Sequence, residues 1–139
     1  MIGKDEIAKM IDDYDRLKLR VGMTASHSAL DICDGAIEEG FPTVAYCQKG
    51  REKTYSEYFR TQRTFGGRVR RGMVDKAIVM DSFNDVMNPV MQDEMRKRNV
   101  VYIPNRSFTS YSQIEDVENN FHVPMFGSRT VSYTHLTLP

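Results

Sequence analysis

Three short polar segments carry residue types that can bind an anion. The first is Ser26-His27-Ser28. It places two hydroxyls and an imidazole directly before an apolar helical pattern. Backbone N–H groups at a helix start favour an anion, and histidine is the side chain that changes charge near neutral pH. This group suits a phosphate or a heterocycle; it equally suits a plain helix cap with His27 packed beside it. The second segment is Pro104-Asn105-Arg106-Ser107-Phe108. An arginine and a serine after a strand suit a phosphate or carboxylate, and the bland alternative is a polar turn. The third is Lys49-Gly50-Arg51, again directly after an apolar run. His27 and Ser107 are the leading substrate-binding candidates, with Ser26, Ser28, Lys49, Arg51 and Arg106 behind them. No residue is assigned a catalytic or a metal-ligating role. Cys33 and Cys47 read as buried thiols, and His122 has no partner visible in the sequence.

These segments matter only if secondary structure brings them together. Asp5 and Glu6 open a first helix, with Ile7, Met10, Ile11, Tyr14 and Leu17 at helical spacing. Leu19–Ala25 reads as a strand. The helix after Ser28 buries Ala29, Cys33, Ala36 and Ile37, exposes Asp31, Asp34 and Glu38, and stops at Gly40. Thr43–Tyr46, Lys76–Met80 and Val100–Ile103 read as three more strands. Asn88-Pro89 opens a helix carrying the i,i+4 pairs Asp93–Lys97 and Glu94–Arg98. Ser112-Gln113-Ile114-Glu115 is a capping box ahead of Ile114, Val117 and Phe121. Alternation of this kind predicts an α/β fold: three layers, a mostly parallel sheet with flanking helices. The three polar segments then all fall at strand carboxyl ends, where such sheets bind ligands.

Composition narrows the class. The 139 residues are about one domain's worth. Nineteen basic residues balance nineteen acidic ones, which excludes a global polycation. No apolar run approaches a membrane span, and Met1–Glu6 lacks the apolar stretch of a signal peptide. Two cysteines without close spacing make neither a disulfide framework nor a zinc site. The expectation is a cytoplasmic protein with no membrane partner. There is no Gly-x-Gly-x-x-Gly and no Walker lysine loop. Charge is uneven within the chain: Lys49–Arg71 holds eight basic and two acidic residues. Gly66-Gly67 makes the second half of this segment an arm or hairpin within a basic insertion over 60–75. The segment reads first as a solvated surface arm and second as an anion or nucleic-acid site.

The last nine residues, Val131-Ser132-Tyr133-Thr134-His135-Leu136-Thr137-Leu138-Pro139, resemble a translated transposase end and sequencing adapter. Val-Ser-Tyr-Thr also alternates as a short strand would, but so short a pattern arises easily by chance. The expected division is a domain over 1–129 and a non-native tail over 130–139, with a longer parent protein.

In order along the chain stand Ser26-His27-Ser28, Glu39-Gly40-Phe41, Lys49-Gly50-Arg51, Pro104-x-x-Ser107-Phe108, Val117-Glu118-Asn119 and Val123-Pro124-Met125-Phe126-Gly127. This series resembles the archaeal-type FAICAR synthetases, formate–phosphoribosylaminoimidazolecarboxamide ligases, over nearly all of residues 1–129. The resemblance implies the N-terminal, Rossmann-like pre-ATP-grasp domain of a ligase of purine biosynthesis. In that family ATP and Mg²⁺ activate formate as formyl phosphate, and the 5-amino group of AICAR monophosphate takes the formyl group on the way to IMP. The resemblance implies that His27 and Ser107 contact the AICAR nucleotide. It also implies that ATP and Mg²⁺ bind outside these residues, that this piece alone is inactive, and that the full-length protein is a homo-oligomer. The chain departs from the family's pattern at Asn105-Arg106, where His-Gly is usual, at Ala25 for Gly, and at Ser128 for Asn. These departures leave room for a ligase-like paralogue acting on another phosphorylated amine. The alternatives from other classes are a non-catalytic nucleotide-binding domain and a nucleic-acid-binding module.

Overall fold

The computed structural model describes residues 2–26, 28–64, 66–67, 69–105, 108 and 114–126. The capping box at 112–115 and the tail at 130–139 therefore fall wholly or partly outside the described residues.

Among the described residues, strands and α-helices follow in the order α1 (Lys4–Asp12), β1 (Arg20–Thr24), α2 (Ala29–Glu38), β2 (Thr43–Gln48), β3 (Gln62–Thr64), β4 (Val69–Arg71), β5 (Lys76–Met80), α3 (Pro89–Lys97), β6 (Val100–Tyr102) and α4 (Ile114–Asn120). β5, β2, β1 and β6 form one parallel sheet in that order. Met125 extends it beyond β6, through Tyr102 N–H to the Pro124 carbonyl and Phe126 N–H to the Tyr102 carbonyl. β3 and β4 pair as a separate antiparallel hairpin.

Alternate residues of the strands face opposite layers, as the pleat requires. Val44, Tyr46, Met80, Val100 and Tyr102 face one side, under Phe83, Val86, Met95, Phe108, Val117 and Phe121. Tyr102 sits at the centre of an aromatic group, with ring centroids 4.9 Å from Phe108 and 5.3 Å from Phe121. Met23, Ala25, Ala45 and Cys47 face the other side, under Ala29, Cys33, Tyr55 and Val74. Each large apolar side chain fully buried in these layers contributes roughly 1.5–3 kcal/mol. Gly22 is required at the middle of β1. A Cβ there would lie 2.6 Å from Val100 Cγ1 and 3.2 Å from the Tyr46 ring.

Local signals explain the helix ends. α2 closes in a Schellman motif: Gly40, at φ 85°, donates to the Ile37 carbonyl, and Phe41 to the Ala36 carbonyl. α3 opens with Pro89 in its first turn, and the Asn88 side chain accepts from Val90 N–H. The Asp93–Lys97 and Glu94–Arg98 pairs form at 3.1 and 3.8 Å.

Two expectations are corrected. The first helix does not run to Leu17. It stops at Asp12, and Leu17 stands 96% exposed in a separate short turn, Arg16–Lys18. Asp12, Asp13 and Asp15 oppose the negative end of a helix, and the Asp15 carboxylate instead accepts Leu17 N–H. Nor does Ser28 cap α2 through its side chain. Its backbone is already close to helical, at φ −80° and ψ 16°, and backbone bonds from Ala29 to Ser26 and from Ile32 to Ser28 start the helix.

Candidate ligand-binding site at the β1–β6 junction

The strand order creates one place suited to a ligand. From β1 the chain moves outward to β2 and β5, then crosses back to lay β6 on the other side of β1. The loops leaving β1 and β6 therefore diverge at the carboxyl ends of adjacent strands, the place where sheets of this kind form a ligand crevice. These loops are Ala25–Ser28 and Ile103–Phe108, two of the three segments singled out by residue type.

Described residues on the two loops touch. Asn105 is 7% exposed. Its Nδ2 donates to the Thr24 carbonyl at 2.8 Å and lies 3.4 Å from the Ser26 carbonyl. Its Oδ1 accepts Phe108 N–H at 3.0 Å. Thr24 in turn shares a 2.5 Å hydroxyl–hydroxyl bond with Tyr102, below the junction. Burial pushes the Tyr102 phenol well above its ordinary range, against the lowering effect of that bond, so the hydroxyl stays neutral. The floor of the crevice is thus a chain of neutral hydrogen bonds on an aromatic base.

The candidate residues distribute as follows. Ser26 is half-buried within the contact and Ser28 is exposed at the start of α2. His27, Arg106 and Ser107 lie outside the described residues. Lys49 and Arg51 stand exposed at the carboxyl end of β2, on the same sheet edge. They are one strand spacing from β1, about 4.8 Å in the hydrogen-bonding direction, and two from β6. Lys49 N–H extends the β2–β5 ladder to the Met80 carbonyl, and the Glu52 carboxylate accepts Gly50 N–H at 2.6 Å. Residue type alone did not reveal Asn105 as a buried link, because its carbonyl partners lie about eighty positions earlier in the chain.

The basic arm has a structural component. The Arg70 guanidinium pairs with Asp75 at 3.1 Å and donates to the Thr61 hydroxyl, while that of Arg60 donates to the Asp75 carbonyl. The Asp75 carboxylate also accepts Thr43 N–H at 2.9 Å. Burial pushes this carboxyl upward, but the bonds from Thr43, Arg70 and Thr61 outweigh it and hold the group below its usual range. The cluster lies at the amino ends of β2 and β5, away from the crevice. Two arginines that a nucleic-acid reading would spend on phosphates are held inside the chain.

Cys33 and Cys47 are fully buried, and burial pushes their thiols up to about 11 and about 12. Neither serves as a nucleophile at neutral pH. His122 donates its backbone N–H to Gln92 Oε1, and its carbonyl accepts from Arg96. Among the described residues no group of three or more His, Cys, Asp or Glu side chains is placed to hold a metal ion. No helix among them is long and apolar enough to cross a membrane.

Comparison with known proteins adds four findings. The family model for a protein of unknown function, DUF1246, matches residues 21–134. The chain is 35% identical over 130 residues to the 5-formaminoimidazole-4-carboxamide-1-(beta)-D-ribofuranosyl 5'-monophosphate synthetase of Methanothermobacter thermautotrophicus, covering 94% of this chain and 32% of that protein. It is 36% identical over 131 residues to the synthetase of the same name from Methanocaldococcus jannaschii, covering 94% of this chain and 33% of that one. Among solved structures it resembles an IMP biosynthesis protein PurP from Thermococcus kodakaraensis, with a TM-score of 0.57 and 28% identity over 78% of this chain and 29% of that one. The chain spans about a third of the length of the curated relatives it matches.

Proposed function

The chain belongs to the DUF1246 family, and on that premise we propose that it is the nucleotide-binding part of a ligase of purine biosynthesis that formylates AICAR monophosphate. The relatives' names give the class of compound that they synthesise, a ribofuranosyl 5'-monophosphate, and a substrate of the same nucleotide class is inferred from it. The observation that carries the reading is the bond from Asn105 Nδ2 to the Thr24 carbonyl. It brings the loop holding His27 against the loop holding Ser107, at the point where the sheet's connections diverge.

In this reading the crevice holds the nucleotide and orients its amine. His27 and Ser107 contact it, with Ser26, Ser28 and Arg106 beside them. Lys49 and Arg51 add positive charge on the same edge of the sheet, which favours the dianionic phosphate. ATP and Mg²⁺ would supply the activation of formate as an acyl phosphate. On the family resemblance, both are assigned to chain outside residues 1–129. Residues 130–139 are taken as a non-native tail, with the family match running on to residue 134 against that division.

A second reading shares the site and changes the substrate. Arg106 beside the buried Asn105 adds a cation to the crevice loop, which favours a ligase-like paralogue that takes another phosphorylated amine.

Calorimetric titration tests both. AICAR monophosphate is expected to bind saturably, and His27→Ala to weaken it by roughly 1–3 kcal/mol, the cost of one lost polar partner in a buried site. If AICAR binds well and His27→Ala leaves the affinity unchanged, the site assignment is wrong. If AICAR fails and a different phosphorylated amine binds with the same dependence on His27, the paralogue reading replaces the first.

A further inference from the structure

We propose that Asn105 is the positioning residue of the crevice: one side chain sets the geometry of both substrate loops at once. This rests on the functional reading above and adds a role to a residue outside the candidate set. Asn105 donates to the loop after β1, at Thr24 and Ser26, and accepts from its own loop, at Phe108. The two contacts need opposite polarities from adjacent atoms of one planar group. A carboxamide supplies both from two separate atoms; an ionised carboxylate or an alkyl group does not, and a hydroxyl would have to donate and accept through a single oxygen.

The pins bracket the substrate residues on both loops. On the β1 side, Thr24 is 1% exposed and Ala29 fully buried, with Ser26 bonded to Asn105 between them. His27 and Ser28 fall within that bracket. On the β6 side, Asn105 and Phe108 are the pins, and residues 106–107 fall between. Phe108 is 1% exposed and packs on Tyr102 and Phe121. Each loop is therefore fixed to the core at both ends, and the Asn105 carboxamide ties one loop to the other. Holding binding groups in register before the ligand arrives removes the ordering cost that a loose pair of loops would impose.

The informative substitutions are Asn105→Ala and Asn105→Asp. Alanine removes both bonds. Aspartate keeps the shape and the acceptor for Phe108 but aims an oxygen at the Thr24 and Ser26 carbonyls. That contact is repulsive when the group is ionised and attractive when it carries a proton. Hydrogen exchange is read on the 139-residue chain without ligand, and AICAR monophosphate affinity by calorimetry, from pH 5 to pH 8 alongside wild type. With alanine, amides of 25–29 and of 103–108 are both expected to exchange about tenfold faster while those of β2 and β5 stay unchanged, and affinity to fall about tenfold. With aspartate, the affinity ratio to wild type should approach one at the acidic end and fall steadily as pH rises. The proposal is overturned if only 103–108 loosens, if both loops loosen but AICAR affinity holds, or if the aspartate variant shows the same ratio at every pH. Should wild type bind no AICAR, the functional reading fails, and the exchange pattern alone decides the coupling: acceleration in both loops supports it, in one loop refutes it.

Discussion

Replacing Asp75 with alanine asks whether the basic arm is a built part of the fold. The carboxylate accepts Thr43 N–H at 2.9 Å and the Arg70 guanidinium at 3.1 Å. Losing a neutral bond costs about 1 kcal/mol, and losing one to a charged group about 1.5–3 kcal/mol. The paired side chains are 24% and 21% exposed, so water partly replaces what is lost and the lower half of that range applies. The sum is about 2.5–3.3 kcal/mol. For a chain of this size each kcal/mol moves the melting temperature by about 3–5 °C, so a drop near 10 °C is expected. The pH dependence has a definite sign. Asp75 is held below the ordinary carboxylate value in the folded state. Its stabilisation is therefore present above about pH 3.9, the unfolded value, and is lost as pH falls through the lower folded value. Urea unfolding of wild type and variant should diverge most at pH 5–7 and converge as the solution is made strongly acidic. Arg70→Ala should be non-additive with Asp75→Ala by about 1 kcal/mol. A solvated arm instead gives a difference under about 0.5 kcal/mol and no coupling; that result would refute the reasoning.

Gly22→Ala puts a methyl group 2.6 Å from Val100 Cγ1 in a filled layer. It should destabilise by about 1–3 kcal/mol, and an unchanged urea midpoint would contradict the packing described. Cys33 and Cys47, with thiols raised to about 11 and about 12, should resist maleimide at pH 8 until the chain unfolds; labelling of the folded chain at the rate of a free thiol would show that burial is wrong. Deleting residues 131–139 should leave the melting temperature unchanged within error, and a clear drop would mean that the tail packs on the domain.

Elements governed by local chemistry were legible in the sequence. β5 reads directly from Lys-Ala-Ile-Val-Met, and α3 from Asn88-Pro89 with its paired charges. The end of α1 was not, because Leu17 continues the apolar spacing while three acids nearby work against the helix. Periodicity outweighed charge in that reading, and the structure reverses the weighting. The basic segment was legible as an arm with a glycine turn, but Arg60 and Arg70 find their acceptors on Asp75, beyond the hairpin. Such pairings depend on tertiary contact and leave no periodic trace. The same holds for the crevice. The polar loops could be placed at strand ends, yet their meeting depends on β6 lying beside β1, and Asn105 looked like a turn residue until its partners were known.

The central claim is that a phosphorylated nucleotide binds between the loops after β1 and β6. Titrating AICAR monophosphate into the isotope-labelled chain and following backbone amide resonances tests it most directly. The account predicts saturable shifts concentrated at 25–29 and 103–108, a smaller response at Lys49–Arg51, and none across the β3–β4 hairpin. Shifts centred on the hairpin, or saturation that leaves both loops unmoved, would contradict it.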